Sequence, residues 1–143
     1  MSENPQTGQT ELAAGQSQPE VPVNAGLRGI SAMIAGEIEI DFASDANYTL
    51  VANDPADDTD EWPFNVIRFT DTGVVLTGGV DVIYPDLDTL YGGPARPMFI
   101  FDNQTAETLT LKRLGETGVA VLAGDRALVF HDGTDLVEIV NPI

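Results

Sequence analysis

The residues of this chain best suited to metal binding are the carboxylates of the segment 53–61, NDPADDTDE. They are Asp54, Asp57, Asp58, Asp60 and Glu61. Carboxylate oxygens are the ligands that calcium prefers. The segment nevertheless lacks the ligand spacing, the central glycine and the closing glutamate of an EF-hand loop, and Pro55 restricts its backbone. We interpret it as a solvated acidic loop, and we predict no metal site and no bound cofactor.

The single histidine, His131, is the second candidate for chemistry, because Asp132 follows it. Adjacent residues of a strand point to opposite faces, which is poor geometry for a base and the carboxylate that orients it. The serines, Ser2, Ser17, Ser31 and Ser44, all lie outside any nucleophile-elbow motif. With 23 acidic residues, neighbouring carboxylates are expected anywhere and do not indicate a glycosidase. We predict that the chain is not an enzyme.

Charge and composition exclude further classes of function. The chain has 23 acidic and 6 basic residues, a formal net charge of −17, and no cysteine. Such a charge repels nucleic-acid backbones and anionic membranes, so we expect neither as a direct partner. We interpret the charge as a solvated surface, with complementarity to a basic partner as the alternative. No secretory signal and no apolar run long enough to span a bilayer is visible, which predicts synthesis in the cytoplasm.

Glycines and aromatic residues offer two weaker signals. Gly115, Gly118 and Gly124 separate short apolar segments and do not join a strand to a helix, so they do not form a phosphate-binding loop. The segment Trp62-Pro63-Phe64, with Tyr84 and Tyr91, could form a sugar-binding platform. Packing in a core or an interface is the more frequent use of such residues, and we favour it.

The elements that position these residues begin after a polar N-terminal segment. Residues 1–24 are dominated by Gln, Pro, Gly, Ser, Thr and Glu, and they cannot bury enough apolar surface to offset the entropy of ordering. We predict an extended arm, which is either a flexible leader or a segment that becomes ordered along a neighbouring subunit. In the stretch 19–23, Pro19 and Pro22 fix φ, and Val21 and Val23 could dock in a strand-like pose.

Residues 25–143 are predicted to form one all-β domain of about ten short strands. Apolar and polar residues alternate in short segments separated by turn residues. The predicted strands are 37–42, 48–51, 66–69, 74–77, 80–84, 99–101, 108–112, 119–121, 127–130 and 136–139. Gly78-Gly79 predicts a hairpin between the fourth and fifth of them, and residues 85–97 are predicted to be a loop. A single β-sandwich or a partly closed barrel would bury these strands, and periodicity does not distinguish the two.

The last third of the chain carries a recognisable series of short motifs. They are Asn103, Leu109 to Lys112, Thr117-Gly118-Val119, Ala123-Gly124, Ala127 to Phe130 and Asp132-Gly133-Thr134. Asp132-Gly133 permits the turn of a two-residue hairpin, and Ala123-Gly124 permits another sharp reversal. The series resembles a pattern of tailed-bacteriophage virion proteins, both head decoration (cement) proteins and fibre or spike subunits.

The resemblance implies a non-enzymatic protein of the virion, made in the host cytoplasm and placed on the capsid surface. Decoration proteins of this kind sit as homotrimers on the capsid lattice, and their N-terminal arms lie on the major capsid protein. It implies that Pro19, Val21, Pro22 and Val23 contact the partner, and that Leu27, Ile30 and Met33 pack the root of the arm. The alternatives are a tail fibre, spike or tail-tip subunit that contacts the host surface and, less favoured, a carbohydrate-binding module. A long fibre would need a shaft of repeats, which this chain lacks.

Overall fold

The computed structural model describes residues 35–52, 60–62, 64–91 and 96–140. These ranges hold nine strands and one short helix. They are β1 (Glu37–Asp41), β2 (Tyr48–Thr49), β3 (Val66–Thr70), β4 (Val80–Tyr84), α1 (Leu87–Tyr91), β5 (Met98–Asn103), β6 (Leu109–Arg113), β7 (Val119–Val121), β8 (Arg126–His131) and β9 (Leu136–Glu138). The predicted all-β fold is confirmed. The predicted arm, residues 1–24, and its predicted root residues Leu27, Ile30 and Met33 lie outside the described ranges.

The strands form two sheets that the chain visits alternately. One sheet has the order β1-β3-β5-β8-β9, and the other has the order β2-β4-β6-β7. Strands β1, β3 and β5 are parallel to one another, and so are β2, β4 and β6. Each pair of consecutive strands (β1 with β2, β3 with β4, β5 with β6) is therefore one coil, and three coils stack as in a short β-solenoid.

Antiparallel strands close one end of this stack. Strand β7 pairs with β6, β8 pairs with β5, and β9 pairs with β8, all antiparallel. The expected reversal at Ala123-Gly124 lies between β7 and β8, where Gly124 has φ +78° and the chain passes from one sheet to the other. Of the two architectures that the sequence left open, the described strands match two sheets around a shared core, without barrel closure.

The core lies between the two sheets and is built by alternation along each strand. Ile67, Phe69, Phe99 and Phe101 of the five-stranded sheet are almost completely buried. Tyr84 of the four-stranded sheet stacks on Phe99 with ring centroids 5.2 Å apart. Contacts of this kind join the two sheets, so removal of either sheet would expose the other.

The predicted hairpin at Gly78-Gly79 is wrong. Residues 74–77 do not form a strand, and β4 pairs with β2 and β6 instead. The backbone N–H of Leu76 donates to Asp71 Oδ2 at 3.1 Å, and that of Thr77 donates to Asp45 Oδ1 at 3.3 Å. Side chains thus satisfy donors that a strand ladder would otherwise satisfy.

Two further predicted turns differ from those observed. The segment 85–97, predicted to be a loop, contains α1. Strands β8 and β9 do form a hairpin, but His131 pairs with Leu136, so the connection is the four residues 132–135 and not the two residues Asp132-Gly133. The carboxylate of Asp132 accepts N–H groups two and three residues ahead, which stabilises the longer turn.

Acidic and amide side chains in the turns hold successive coils together. In the first coil, Asp41 accepts from the backbone N–H groups of residues 72 and 73 at 2.7 and 2.8 Å, and Asn47 Oδ1 accepts from the N–H of Asp81 at 2.9 Å. In the second coil, Asp71 Oδ2 accepts from the N–H of Ala106 at 3.2 Å. Part of the acidic composition of this chain therefore serves the stacking of its turns.

Candidate interaction surface

The outer face of the five-stranded sheet divides into an apolar half and a charged half. Residues that alternate with the buried core positions point outward from β3, β5, β8 and β9. The apolar half, called the apolar face from here on, consists of Val66, Met98, Ile100, Leu128, Phe130, Val137 and Ile139. These are the apolar outward residues that the structure describes in the half of the sheet where β5 begins. Glu37 on β1 is in register with Val66 and is the charged end of the first row.

The strand register arranges the apolar face in two rows. In the first row, Ile100 lies between Val66 on β3 and Leu128 on β8, and the N–H of Ile139 donates to the carbonyl of Leu128 at 2.8 Å. The second row consists of Met98, Phe130 and Val137. The rows are neighbours, so these side chains form one continuous surface across four strands.

Several members of the apolar face are substantially exposed to solvent. Met98 is 59% exposed, Leu128 40% and Ile139 39%, and the adjoining Val140 is 64% exposed. Exposed apolar residues scattered singly are normal, but a continuous patch of them marks a surface for interaction. The other large exposed apolar residues of the described chain, Val75, Leu114 and Leu122, lie outside the strands.

A row of alternating charges borders the apolar face. Glu39, Arg68, Asp102 and Arg126 are paired in register across β1, β3, β5 and β8. Arg68 Nε lies 2.9 Å from Asp102 Oδ2, and Arg126 Nε lies 3.2 Å from Asp102 Oδ1. Arg68 also reaches Glu37 at 2.7 Å. Opposite charges on neighbouring strands stabilise the sheet and leave this row close to neutral.

Asp102 is the buried centre of this row. Its side chain is 1% exposed, and burial by itself would raise the pKa of its carboxyl. Hydrogen bonds from Gln104, at 2.6 Å, and from the guanidinium groups of Arg68 and Arg126 outweigh this effect, so the pKa of Asp102 lies below its ordinary value. Asp102 is therefore an anion held by its neighbours, and its oxygens are already engaged.

The outer face of the four-stranded sheet has a different character. Its outward positions are Thr49, Asp81, Ile83, Thr110, Lys112 and Ala120, four of which are polar, and Lys112 Nζ lies 2.7 Å from Asp81. A polar face of this kind is suited to contact with water. The contrast makes the apolar face a feature of one sheet and not of the whole surface.

The basic side chains of the described residues are all neutralised by nearby carboxylates. In addition to Arg68, Lys112 and Arg126, Arg96 pairs with Asp88 at 2.9 Å and Arg113 pairs with Asp86 at 3.0 Å. The described carboxylates outnumber these five cations, and several of them lie in turns. No cationic site for phosphate is formed among these five residues.

His131 is a buried structural residue at the end of β8. Its ring is 1% exposed, Nδ1 lies 3.0 Å from the donating N–H of Gly133, and Nε2 lies 3.0 Å from Arg113 Nη1. Burial lowers the pKa of His131, and the nearby Arg113 and Arg96 lower it further. Gly133 donates to Nδ1, so the single proton of the neutral ring lies on Nε2, beside Arg113. A second proton would remove the Gly133 hydrogen bond and place a positive charge next to that guanidinium. Asp132 turns its carboxylate into its own turn, as the geometry of adjacent residues predicts.

The described part of the acidic loop consists of Asp60 and Glu61, and both engage the fold. Asp60 accepts from Trp62 Nε1 at 3.2 Å, and Glu61 accepts from the Tyr48 hydroxyl and from the Val51 N–H, each at 2.7 Å. Burial and this hydrogen bond raise the pKa of Tyr48. Residues 53–59 lie outside the described ranges. Among the residues that are described, no group of three or more metal-binding side chains comes together.

Three of the four aromatic residues considered for a sugar platform are used mainly for packing, and the side chain of Tyr91 lies outside what the structure describes. Tyr84 is 1% exposed and lies inside the core, and Trp62 and Phe64 pack against the core while partly buried. The arm contacts predicted at Pro19, Val21, Pro22 and Val23 lie outside the described residues. The described helix is too short to cross a membrane, and no apolar membrane-spanning helix occurs in the described ranges.

The apolar face was not identified from the sequence, although a signal for it exists. The strict alternation of 37–42 indicates one buried face, but the segments 98–101, 128–130 and 136–137 are apolar at every position. Continuous apolar strands are typical of sheets covered on both faces.

Comparison of the chain with protein-family models, with curated proteins and with solved structures gave no match.

Proposed function

We propose that this chain is a non-enzymatic structural protein that works by docking to other protein subunits, in a tailed-phage particle whose head it decorates. Its partners are further copies of the same chain and the major capsid protein. The N-terminal arm, with Pro19, Val21, Pro22 and Val23, makes the contact with the capsid. The folded domain supplies a rigid block on the outside of the shell.

The observation that carries the proposal is the apolar face. In water, a chain with a net charge of −17 gains nothing from a patch of seven apolar side chains, of which Met98, Leu128 and Ile139 are exposed and the others half-buried. Covering such a patch with another protein surface removes apolar area from water, at roughly 25 cal/mol for each Å². A docking role explains the patch.

The polar groups of the domain support the same conclusion. Asp41, Asp71 and Asp135 accept backbone N–H groups, Asp102 is bound by two guanidinium groups, and His131 is buried. Each of these groups stabilises a turn or a sheet. Their arrangement suits a rigid scaffold, in which side chains are fixed by the fold.

The phage location and the capsid partner come from the resemblance of the C-terminal motifs. Asn103, Gly118 and Gly124 belong to those motifs and have structural uses here: Asn103 is buried, and both glycines have positive φ. The motifs thus encode the antiparallel end of a compact block. A block of this kind with a polar N-terminal arm fits the layout of a decoration protein.

The test is the position and the copy number of the protein on intact particles. Particles released from cells that carry the gene are purified, and the protein is quantified against the major capsid protein by mass spectrometry and located by immunogold labelling. A copy number comparable with that of the capsid protein, with label over the whole shell, is expected. A few copies at one vertex would indicate the tail-tip or spike alternative, and absence from particles would refute both.

Deletion of residues 1–24 tests the role of the arm. The shortened chain should retain the β-sheet circular dichroism of the full chain and lose binding to particles that lack the protein. Binding that survives the deletion would contradict the assignment of the capsid contact to the arm.

A further inference from the structure

We propose that residues 25–34 of the same chain, called the covering segment from here on, lie across the apolar face in the free protein as an amphipathic helix. This inference rests on the proposed docking function and concerns the regulation of its docking surface. A subunit that docks on the apolar face has to displace the covering segment first. The segment lies outside the described ranges and directly precedes Ale35 of the described domain.

The first argument is that the covering segment enters the sheet at a corner of the apolar face. The carbonyl of Gly36 accepts the N–H of Val66 at 3.1 Å, and Val66 is the first apolar residue of the row that continues to Ile100 and Leu128. Strands β1, β3 and β5 are parallel, so the chain enters β1 at the end of the sheet where β5 begins. The segment is therefore tethered beside the face, which gives it a high effective concentration there.

The second argument is that the covering segment carries a single apolar stripe. At 100° per residue, a helix over its sequence AGLRGISAMI places the large apolar side chains within about 120° of the circumference. These residues are Leu27, Ile30, Met33 and Ile34. Arg28 lies on the opposite side of the helix, and so does Ala35. The backbone of Ala35 is helical and the residue is exposed, which agrees with this orientation.

The third argument is that the helix and the apolar face have matching dimensions. One turn of a helix rises about 5.4 Å, and neighbouring strands lie about 4.8 Å apart. A helix that ends at β1 and extends towards β9 thus places about one turn over each strand. On this spacing, Ile34 lies over β3, Ile30 over β5 and Leu27 over β8. The two rows of the face lie about 7 Å apart, so one helix about 10 Å in diameter covers both.

Composition favours this segment over the other parts of the chain that lie outside the described ranges. Residues 53–59 carry three carboxylates, and residues 92–95 are Gly-Gly-Pro-Ala, without a large apolar side chain. Residues 25–34 contain no acidic residue and one basic residue, Arg28. A segment without negative charge approaches an acidic domain without repulsion. The apolar segments 98–101 and 128–130 also match strands that are covered on both faces.

The covering segment is a weak helix by itself, so a docking subunit can displace it. Gly26 and Gly29 lower its helix propensity, because glycine loses the most backbone entropy in a helix. A helix of this length is marginal in water and depends on the packing of its apolar stripe. Glu37, which bounds the face at β1, is engaged by Arg68 at 2.7 Å and stays beside the segment.

The experiment measures the reactivity of one introduced cysteine in the full chain, which has no cysteine of its own. Leu128→Cys places a thiol in the apolar face, and its modification by a maleimide is followed by mass spectrometry. Addition of Ile30→Asp should raise the rate about tenfold or more, because burial of one isoleucine contributes at least that factor to the covered state. Leu122→Cys, at a residue 60% exposed outside the strands, should react at the same rate with and without Ile30→Asp.

Ala32→Asp is the matched control for Ile30→Asp. It adds the same charge on the side of the helix opposite the apolar stripe, so the rate at Leu128→Cys should stay unchanged. Circular dichroism checks that every variant keeps the β-sheet signal of the wild type.

A disulfide test identifies the chain that supplies the covering segment. Ile30→Cys combined with Ile100→Cys should form a disulfide within one chain on mild oxidation, at a rate independent of protein concentration. Ile30→Cys combined with Thr110→Cys, on the outer face of the four-stranded sheet, should not form one.

Three results would overturn the proposal. An unchanged rate at Leu128→Cys on addition of Ile30→Asp would show that the face is open in the free chain. Equal effects of Ile30→Asp and Ala32→Asp would show that the apolar stripe does not make the contact. A disulfide that forms only between chains would assign the cover to a neighbouring copy.

The docking function is tested separately, on particles. The chain with both Leu128→Cys and Ile30→Asp should lose its rapid labelling when it is bound to particles that lack the wild-type protein. Labelling that stays rapid on particles would contradict docking through the apolar face, and the result for the free chain would still stand.

Discussion

The replacement of Asn103 by aspartate should destabilise the fold severely, although the two side chains have the same shape. Asn103 is completely buried at the end of β5. Its amide nitrogen donates towards the carbonyl oxygens of Glu107, Val121 and Leu122 at 2.8, 2.9 and 3.1 Å. Its Oδ1 accepts from the N–H and the hydroxyl of Thr105 at 3.0 and 2.7 Å. These three carbonyls identify the nitrogen, because an oxygen in that position would have no donor to accept from.

The magnitude follows from what a carboxyl group can do at this site. A carboxylate would set a buried negative charge against three carbonyl oxygens, so the folded protein retains a proton on the introduced group instead. Because pH 7 lies about three units above the ordinary pKa of aspartate, keeping this proton on the folded protein costs about 4 kcal/mol. One of the two amide hydrogens is still missing, which costs about 1 kcal/mol more. The total, about 5 kcal/mol, approaches the whole stability of many domains.

The assay is urea denaturation at pH 7 and at pH 4, with Asn47→Asp as the matched control. Asn47 uses Oδ1 to accept the N–H of Asp81, and a carboxylate can accept the same bond. The control should therefore change the free energy of unfolding by less than about 0.5 kcal/mol. The pKa of the introduced carboxyl at position 103 is raised in the fold. Protonating it therefore costs no stability only below the ordinary pKa of aspartate, where the unfolded chain is protonated as well. The destabilisation relative to wild type should fall to about 1–2 kcal/mol near pH 4.

Two outcomes would refute this reasoning. Equal destabilisation by both substitutions would mean that the donor role of Asn103 does not distinguish it from an exposed asparagine. A penalty at position 103 that is the same at pH 7 and pH 4 would mean that the cost is steric and not one of protonation.

Three other perturbations should discriminate between structural roles. Gly118→Ala should lower the free energy of unfolding, measured by chemical denaturation, by about 3 kcal/mol or more, because φ is +71° and a Cβ would lie 2.3 Å from a backbone oxygen. Gly115→Ala is the control: φ is +85° but the added Cβ meets open space, so the loss should be about 1 kcal/mol. As the pH falls from 6.5 to 5, the free energy of unfolding should fall by at most about 2 kcal/mol, because burial lowers the pKa of His131 and only the unfolded chain gains the proton. This pH dependence should disappear in His131→Gln. If it persists there, His131 is not the group that causes it. Asp135→Ala removes the carboxylate that accepts the backbone N–H groups of Arg113 and Gly118, at 3.1 and 2.6 Å. Amide hydrogen exchange in residues 114–118 should therefore accelerate. Unchanged exchange would show that Asp135 does not stabilise this turn.

Much of the fold was predictable because strands leave a local signal. Nine of the ten predicted strands are present, since short alternating or apolar segments bounded by turn residues depend only on neighbours in the chain. The failure at 74–77 has a physical cause that lies outside that segment. Its N–H groups are taken by Asp45 and Asp71, and Asp45 is about thirty residues away in sequence. Local pattern cannot reveal a distant acceptor.

The candidate surface was less predictable than the strands. The sequence shows that Met98, Leu128 and Ile139 are apolar, but not that they share one face. That depends on which strand pairs with which, and in what register. The parallel pairing of β3 with β5 and the antiparallel pairing of β5 with β8 bring residues from four segments into two rows.

The sequence by itself therefore determined the class of fold. Short segments of alternating or apolar residues predict strands, and a sequence without cysteine excludes disulfides and cysteine chemistry. Only the tertiary structure decided that the strands stack as coils, that acidic turn residues hold those coils together, and that one sheet keeps an apolar face uncovered. The reason is that periodicity tells which side chains lie on the same side of a strand, whereas pairing between distant strands decides what that side faces.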